Sequence, residues 1–413
     1  MIERNITRRL RRALRDTPVV FLHGARQTGK STLVRKIAEG LRGSSYLTLD
    51  DAATLAAATG DPVGFIRGFD GPVVLDEVQK APALFPAIKL EVDLNRKPGR
   101  FLLTGSADVL VIPRVSESLA GRIEILTLWP FSQGEIDGVH ESFVDSLFAR
   151  LIPSERAKPL PASKLIERVL RGGYPEVCTT RAAPRRADWF GAYVSTILQR
   201  DVRELSNIEG LTELPRLLTL LAARVASPIN FADLARDLAI PQTTLKRYFA
   251  LLEMTFLVQA LPAWSANLRK RLVKSPKLYL NDSGLLAYLL GLSKERLAVD
   301  QKHIGPLMEN FVVMELRKQA SWSVTRPELF HFRTHAGREV DIILEGRSGQ
   351  IVGIEVKAGA TLGTDDLQGL KSLADISGER FHRGILLYTG NDAIPFGPRI
   401  HALPISSLWG VPS

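Results

Sequence analysis

Between an apolar run at residues 19–22 and an amphipathic stretch carrying Leu33, Val34, Ile37 and Ala38 stands Gly24–Ala25–Arg26–Gln27–Thr28–Gly29–Lys30–Ser31. The spacing G-x-x-x-x-G-K-S does its chemistry only on a strand–turn–helix unit, and the flanking residues supply that context. Gly24 and Gly29 let the backbone wrap close to phosphate, so that successive N–H groups and the helix N-terminus face negative charge. Lys30 would reach the β- and γ-phosphates, and the Ser31 hydroxyl would bind Mg²⁺. With Thr32, the next residue of the first helical turn, residues 24–32 form the expected nucleotide cradle.

Further short apolar runs at residues 45–49, 73–75, 100–103 and 123–126 alternate with helical stretches, which predicts an α/β fold with a mainly parallel sheet flanked by helices. The run at 73–75 ends in Asp76 and Glu77. Asp76 would hold Mg²⁺ through water, and Glu77 would orient and deprotonate the attacking water. The run at 101–103 delivers Thr104, Gly105 and Ser106, a polar strand tip suited to the water or the γ-phosphate. Arg122 lies beyond it, where a guanidinium would meet a phosphate across a subunit boundary. A surface turn accounts for either of these last two signals equally well.

The order of these elements resembles the AAA class of P-loop ATPases, and more narrowly a prokaryotic family of AAA ATPases with a characteristic C-terminal region. The matching stretches are GARQTGKS, LDD at residues 49–51, VVLDEVQKAP, FLLTGSAD, SLAGRIEILTLWPFSQGE, GGYPEV, LQRDV, PKLYLNDSGL, and EVDIIL with IEVK near the C-terminus. The resemblance spans nearly the whole chain. It implies Lys30, Ser31, Asp76 and Glu77 as nucleotide and catalytic positions, Thr104 or Ser106 as a sensor, and Arg122 as an arginine finger. For a second sensor arginine it offers only Arg171 and Arg200.

Ahead of the nucleotide motif, Ile2, Ile6, Leu10, Ala13 and Leu14 share one helical face, with Arg8, Arg9, Arg11, Arg12 and Arg15 largely on the other. This reads as a packing helix with a solvated basic face. The whole chain of 413 residues carries a formal charge of +10, too dilute to establish a nucleic-acid or membrane partner. Its single cysteine, Cys178, excludes an intramolecular disulfide and a Cys-based zinc site, and a reducing cytoplasm fits. Apolar runs such as 217–223 fall far short of the roughly 20 residues a membrane span needs, so neither signal peptide nor anchor is expected.

Four segments follow: an AAA-like domain at 1–135, a helical lid and linker at 136–205 with a Pro- and Ala-rich stretch at 152–163, a winged helix at 206–300, and a nuclease-like α/β domain at 301–413. Residues 232–239, a break at Ile240–Pro241, and residues 242–253 give a helix-turn-helix pattern. Leu234, Leu238, Ile240, Leu245, Phe249 and Leu252 form its seam, and Lys246 and Arg247 lie near its exposed side. Strands at 255–260 and 277–280 enclose a basic segment with Arg269, Lys270, Arg271 and Lys274, a wing suited either to DNA phosphates or to internal packing.

In the last segment, a strand at 338–344, a turn at 346–349 and a strand at 350–357 bring Asp341 opposite the neighbourhood of Glu355. Period-two alternation puts Glu355 and Lys357 on one face. The grouping resembles the D…(D/E)-x-K core of the PD-(D/E)XK nuclease fold. That likeness implies Glu309 on the preceding helix as a further ligand and Gln368 on the next helix, with Asp341 and Glu355 binding a second Mg²⁺. A salt-bridged cluster in a recognition platform is the competing reading.

The sequence thus predicts an Mg²⁺-dependent ATPase, a homo-oligomer, acting as a nucleic-acid-associated motor or switch. An ATP-gated nuclease and an ATP-regulated scaffold for a protein partner are the alternatives. A small-molecule kinase fits less well, given the acid pair at the strand end and the long C-terminal extension.

Overall fold

The computed structural model describes residues 2–106, 119–149, 160–179, 182–202, 211–334 and 336–410. They fall into two compact units, Glu3–Pro130 with Met254–Phe256, and Phe131–Glu253 with Leu257–Ser413. Most of the expected linker stretch at 152–163 and the expected boundary at 206 lie outside the described residues.

The first unit opens with α1 (Thr7–Asp16), which buries Leu10, Ala13 and Leu14, exposes Arg8, Arg11, Arg12 and Arg15, and pairs half-buried Arg9 with Glu124. Then come β1 (Val19–His23), α2 (Lys30–Glu39), β2 (Ser45–Thr48), α3 (Ala52–Gly60), α4 (Pro62–Arg67), β3 (Val73–Asp76), α5 (Leu84–Leu94), β4 (Phe101–Gly105) and β5 (Ile123–Thr127). The five strands form one parallel sheet in the order β2-β3-β4-β1-β5. β1, β3 and β4 are buried along their whole length, which is why they read as unbroken apolar runs rather than alternating ones. Phe21, Leu75, Phe101 and Leu103 pack there against Leu84, Phe85 and Ile88 of α5. Although β4 follows β3 in sequence, it lies between β3 and β1. That crossing brings its tip between the phosphate loop and the acids.

In the second unit, the helices Ala162–Arg171 (α6), Ala183–Thr196 (α7), Leu214–Ala222 (α8), Phe231–Leu238 (α9) and Gln242–Met254 (α10) precede an antiparallel pair, β6 (Val258–Leu261) and β7 (Lys277–Leu280). Asn230 caps α9 by accepting from the N–H groups of Ala232 and Asp233. Ala239, in the left-handed conformation, ends α9 and sets up the turn into α10. A bridge from Pro228 to Lys277 adds a third partner to the β6–β7 pair. The basic segment between β6 and β7 forms a short helix, Leu268–Val273.

The chain continues through α11 (Ser283–Leu289) and the long α12 (Ile304–Trp322) into a six-stranded sheet. Its strands are β8 (Glu328–Arg333), β9 (Glu339–Glu345), β10 (Ile351–Lys357), β11 (Phe381–Tyr388), β12 (Ile394–Pro395) and β13 (Ile400–Pro404), in the order β12-β13-β11-β10-β9-β8, with α13 (Gln368–Ser377) between β10 and β11. The pattern in the sequence marks β9, β10 and part of β11. It misses β8, β12 and β13, whose His, Arg and Pro residues dilute the alternation. Among the described residues no helix is long and apolar enough to cross a membrane.

Candidate active site

Register fixes which ends of the strands meet. His23 aligns with Gly105 and with Thr127, and Leu75 aligns with Leu103. The C-terminal ends of β1, β3, β4 and β5 therefore share one edge of the sheet, the edge at which open α/β sheets bind ligands.

The phosphate loop leaves β1 at that edge. A side chain at Gly24 would bring its Cβ to 2.2 Å from the Leu128 carbonyl oxygen, so the close approach of loop and β5 exit admits only glycine. Gly29, at φ +92°, turns the chain into α2 and has open space where a Cβ would stand. Gln27 also takes a positive φ, and the Thr28 hydroxyl donates to the Ala25 carbonyl at 2.9 Å. Lys30 is buried, and its ammonium donates to the carbonyls of Gly24 at 3.0 Å and Ala25 at 2.9 Å. Arg26 and Ser31 are half-buried, and Thr32 is exposed.

Arg4 completes the loop's support. Its buried guanidinium donates to the Thr28 carbonyl at 2.8 Å and to the Trp129 carbonyl at 2.6 Å. Sequence reasoning passed over it. At helical spacing Arg4 falls on the same face as Arg8, Arg11 and Arg15, so periodicity offers no signal that sets it apart.

Across the edge, buried Asp76 accepts from the Tyr46 hydroxyl at 2.7 Å on one oxygen and from the Thr104 hydroxyl on the other. Thr104 Oγ1 in turn accepts from the Glu77 N–H at 3.1 Å. Glu77 has φ +60° and ψ +43°, an arrangement that costs a non-glycine residue energy and lifts the backbone off the strand line. The Gln79 side-chain amide donates to the Glu77 carboxylate and to Ser106 Oγ, the latter at 3.1 Å. Tyr46 and Gln79 were not singled out from sequence, although Gln79 lies within the quoted VVLDEVQKAP. Burial raises the Tyr46 phenol above its ordinary pKa, against the neighbouring Arg35, so Tyr46 remains a donor.

Arg122 immediately precedes β5, and its carbonyl accepts from the Val19 N–H at 3.2 Å. It therefore stands at the other end of the strands from the loop, about 13 Å away at roughly 3.3 Å per residue. Its guanidinium pairs with Asp93 at 2.5 Å and donates to the Ala120 carbonyl at 2.9 Å. Arg171, the last residue of α6, and exposed Arg200 both belong to the second unit.

The C-terminal acids are brought together, but around a residue the sequence reading did not include. Ile354 pairs with Ile342, so the hairpin carries Asp341 next to Glu355. The Asp341 and Glu309 carboxylates converge on the ammonium of Lys277 from β7, at 3.2 and 2.9 Å, with Glu339 at 2.5 Å. Lys357 binds Glu355 at 3.1 Å and lies 3.5 Å from Asp366, while Gln368 donates away to Asp365 at 2.7 Å. Glu309, Asp341 and Glu355, the residues expected to hold a second metal with Lys357, thus stand in an ion-paired cluster around Lys277 and Lys357. No group of three or more metal-ligating side chains suited to an ion exists among the described residues. The basic wing is also partly committed. Arg271 holds Glu345 through two bonds of 2.6 and 3.1 Å and packs against Trp264 and Phe330, and Lys274 donates to the Arg333 carbonyl at 3.1 Å.

Residues 16–137 match the AAA domain family, residues 162–296 a domain of unknown function (DUF8612), and residues 304–408 another (DUF4143). The chain is similar to a protein of Mycobacterium tuberculosis named "Uncharacterized protein Rv2008c" and one of Mycobacterium bovis named "Uncharacterized protein Mb2031c". It is 33% identical to each over 409 residues, covering 98% of this chain and 84% of theirs. Among solved structures, a Walker-type ATPase of Pyrococcus abyssi, PABY2304, is 16% identical with a TM-score of 0.41, covering 70% of this chain and 96% of that one. Thermotoga maritima RuvB is 18% identical with a TM-score of 0.31, covering 62% and 89%. The chain belongs to the family that includes the mycobacterial proteins Rv2008c and Mb2031c, and it carries an AAA-class P-loop ATPase domain.

Proposed function

We propose that the first unit hydrolyses ATP to ADP and phosphate with Mg²⁺. One observation carries this reading: the Thr104 hydroxyl, on the strand tip between loop and acids, bonds both the Asp76 carboxylate and the Glu77 N–H. The donor set fits the ion, because Ser31 and Asp76 offer hard oxygens and leave positions for waters and phosphate, as Mg²⁺ prefers. When bound, Mg²⁺ would supply positive charge against the β- and γ-phosphates. The cradle also fits the nucleotide, since the Lys30 ammonium stands inside the loop and donates to its Gly24 and Ala25 carbonyls.

In the proposed reaction Lys30 neutralises phosphate charge and Glu77, steered by Gln79, takes a proton from the attacking water. Ser106, which shares Gln79, holds that water or a γ-phosphate oxygen. Phosphate release measured on purified protein tests the assignment. Lys30→Ala should lose nucleotide binding, whereas Glu77→Gln should retain binding and lose turnover. Full activity in Glu77→Gln overturns the role of Glu77.

The second unit's helix pair α9–α10 and strands β6–β7 support a winged-helix reading with nucleic acid as partner. Gln242, Thr243, Lys246 and Arg247 are exposed at the start of α10, while Arg271 is engaged by Glu345 and Lys274 by the Arg333 carbonyl. Nucleic acid would therefore be met mainly by α10, with exposed Arg269 as the wing's contribution. Salt-dependent DNA binding that survives Arg271→Ala and is lost in Lys246→Ala/Arg247→Ala supports this; no DNA binding at low salt points instead to a protein partner.

A further inference from the structure

Lys277 is only 1% exposed, yet it carries a full charge into the C-terminal unit. Burial alone would lower its pKa, but Asp341, then Glu309 and Glu339, raise it well above the ordinary lysine value. Carboxylate oxygens of Glu309, Glu339 and Asp341 stand 2.9, 2.5 and 3.2 Å from this buried ammonium, which makes it the internal cation of the cluster. Its partners are the oxygens that a metal would need. Glu309 Oε1 takes both Lys277 and the Tyr279 hydroxyl, the latter at 2.6 Å. Asp341 Oδ1 takes Lys277, and its Oδ2 accepts from the Val356 N–H at 2.9 Å.

Glu355 is the exception. Its Oε1 binds Lys357, while its Oε2 is buried with no hydrogen-bond partner. The cluster therefore holds one more acidic ligand atom than the single ammonium satisfies.

We infer that Lys277 is the built-in cation of this cluster, occupying the place of a divalent metal ion, so that the nuclease-like module works metal-free and a latent divalent-cation site lies beneath the lysine. A metal would have to sit about 2.0–2.2 Å from oxygens that the ammonium already contacts, and two cations cannot share that space. The unpartnered Glu355 oxygen would be an additional ligand once the lysine was removed. This inference is independent of the ATPase reading, since every residue named lies in the second unit.

The test is Mn²⁺ binding to the full chain without nucleotide, followed by electron paramagnetic resonance and by the thermal midpoint with and without Mn²⁺. Wild-type protein and Asp341→Asn should bind Mn²⁺ identically. Lys277→Met should gain one further Mn²⁺ per chain and a midpoint that rises with Mn²⁺, and Lys277→Met/Asp341→Asn should lose both. Folded Lys277→Met without the gain overturns the latent site. Wild-type Mn²⁺ binding that disappears in Asp341→Asn overturns the built-in cation, and this comparison stands whether or not Lys277→Met folds.

Discussion

The Arg4 guanidinium donates to the Thr28 carbonyl at 2.8 Å, tying a residue ahead of the first helix to the middle of the phosphate loop. Its second bond, to Trp129, anchors the same group to the segment that follows β5. The loop's curvature is thus held from outside as well as by its glycines. Arg4→Ala removes two charge-assisted bonds, each of a kind worth roughly 1.5–3 kcal/mol. Nucleotide dissociation constants should rise about tenfold or more, with Arg4→Lys intermediate, measured by fluorescence titration with a labelled nucleotide. Unchanged affinity in both variants would remove Arg4 from the site.

Thr104 provides a sharper separation of binding from turnover. Thr104→Ser keeps the hydroxyl that bonds Asp76 and Glu77, whereas Thr104→Val keeps the shape and loses both bonds. The expected result is near-normal kcat for the serine variant and a fall on the order of 10²-fold for the valine variant, a typical cost of misplacing a catalytic group. KM should change little in either. Steady-state phosphate release over a range of ATP concentrations checks both parameters.

Much of the first unit was legible because buried parallel strands leave continuous apolar runs, and Gly24, Gly29, Lys30, Asp76 and Glu77 mark their own ends. Long-range supports were not. Nothing near Arg4 indicates that it will bond residues 24 and 125 positions away. Lys277 lies within the quoted PKLYLNDSGL, but its three carboxylates come from α12 and β9. The motifs FSQGE, GGYPEV and NDSGL point the same way. The Gly173 N–H donates to Asp282 at 2.7 Å, the Phe131 N–H donates to the Gly173 carbonyl at 2.7 Å, and the Gln133 N–H donates to Glu315 at 2.9 Å. Lys318 joins Glu315 at 2.6 Å and the Phe131 carbonyl at 3.0 Å. Those motifs build a buried polar network in the second unit, an outcome that a motif read as chemistry alone does not reveal.

Arg122 stands at the far end of the strands from its own chain's loop, so a role at phosphate requires a second copy of the chain. In that case the rate per chain should rise with protein concentration and then saturate, and Arg122→Ala should lie on the low plateau throughout. Mixing Arg122→Ala with Lys30→Ala should restore part of the activity, because each supplies what the other lacks. Phosphate release measured across a wide range of protein concentration tests this. A constant specific rate, with Arg122→Ala fully active, would confine Arg122 to its ion pair with Asp93.

The acid cluster also sets a pH dependence for the second unit. Burial first, and then Asp341, push the Glu309 and Glu355 carboxyls up to about 8, from an ordinary value of 4.5. The folded state therefore binds protons that the unfolded state releases, and stability falls as pH rises from about 4.5 through 8. His331 acts in the opposite sense. Burial lowers it to about 4 from 6.5, so the unfolded state gains the proton first and stability is lost as pH falls below 6.5. Between pH 6.5 and 8 the carboxyls act without that opposition. Thermal unfolding should show the midpoint declining across this interval, and Glu309→Gln should flatten the decline. His331→Gln should leave that interval unchanged and make stability rise more steeply on acidification from pH 6.5 to 4.5. A midpoint that climbs between pH 6.5 and 8 in the wild type, but not in Glu309→Gln, would mean that the cluster carries no extra proton at neutral pH.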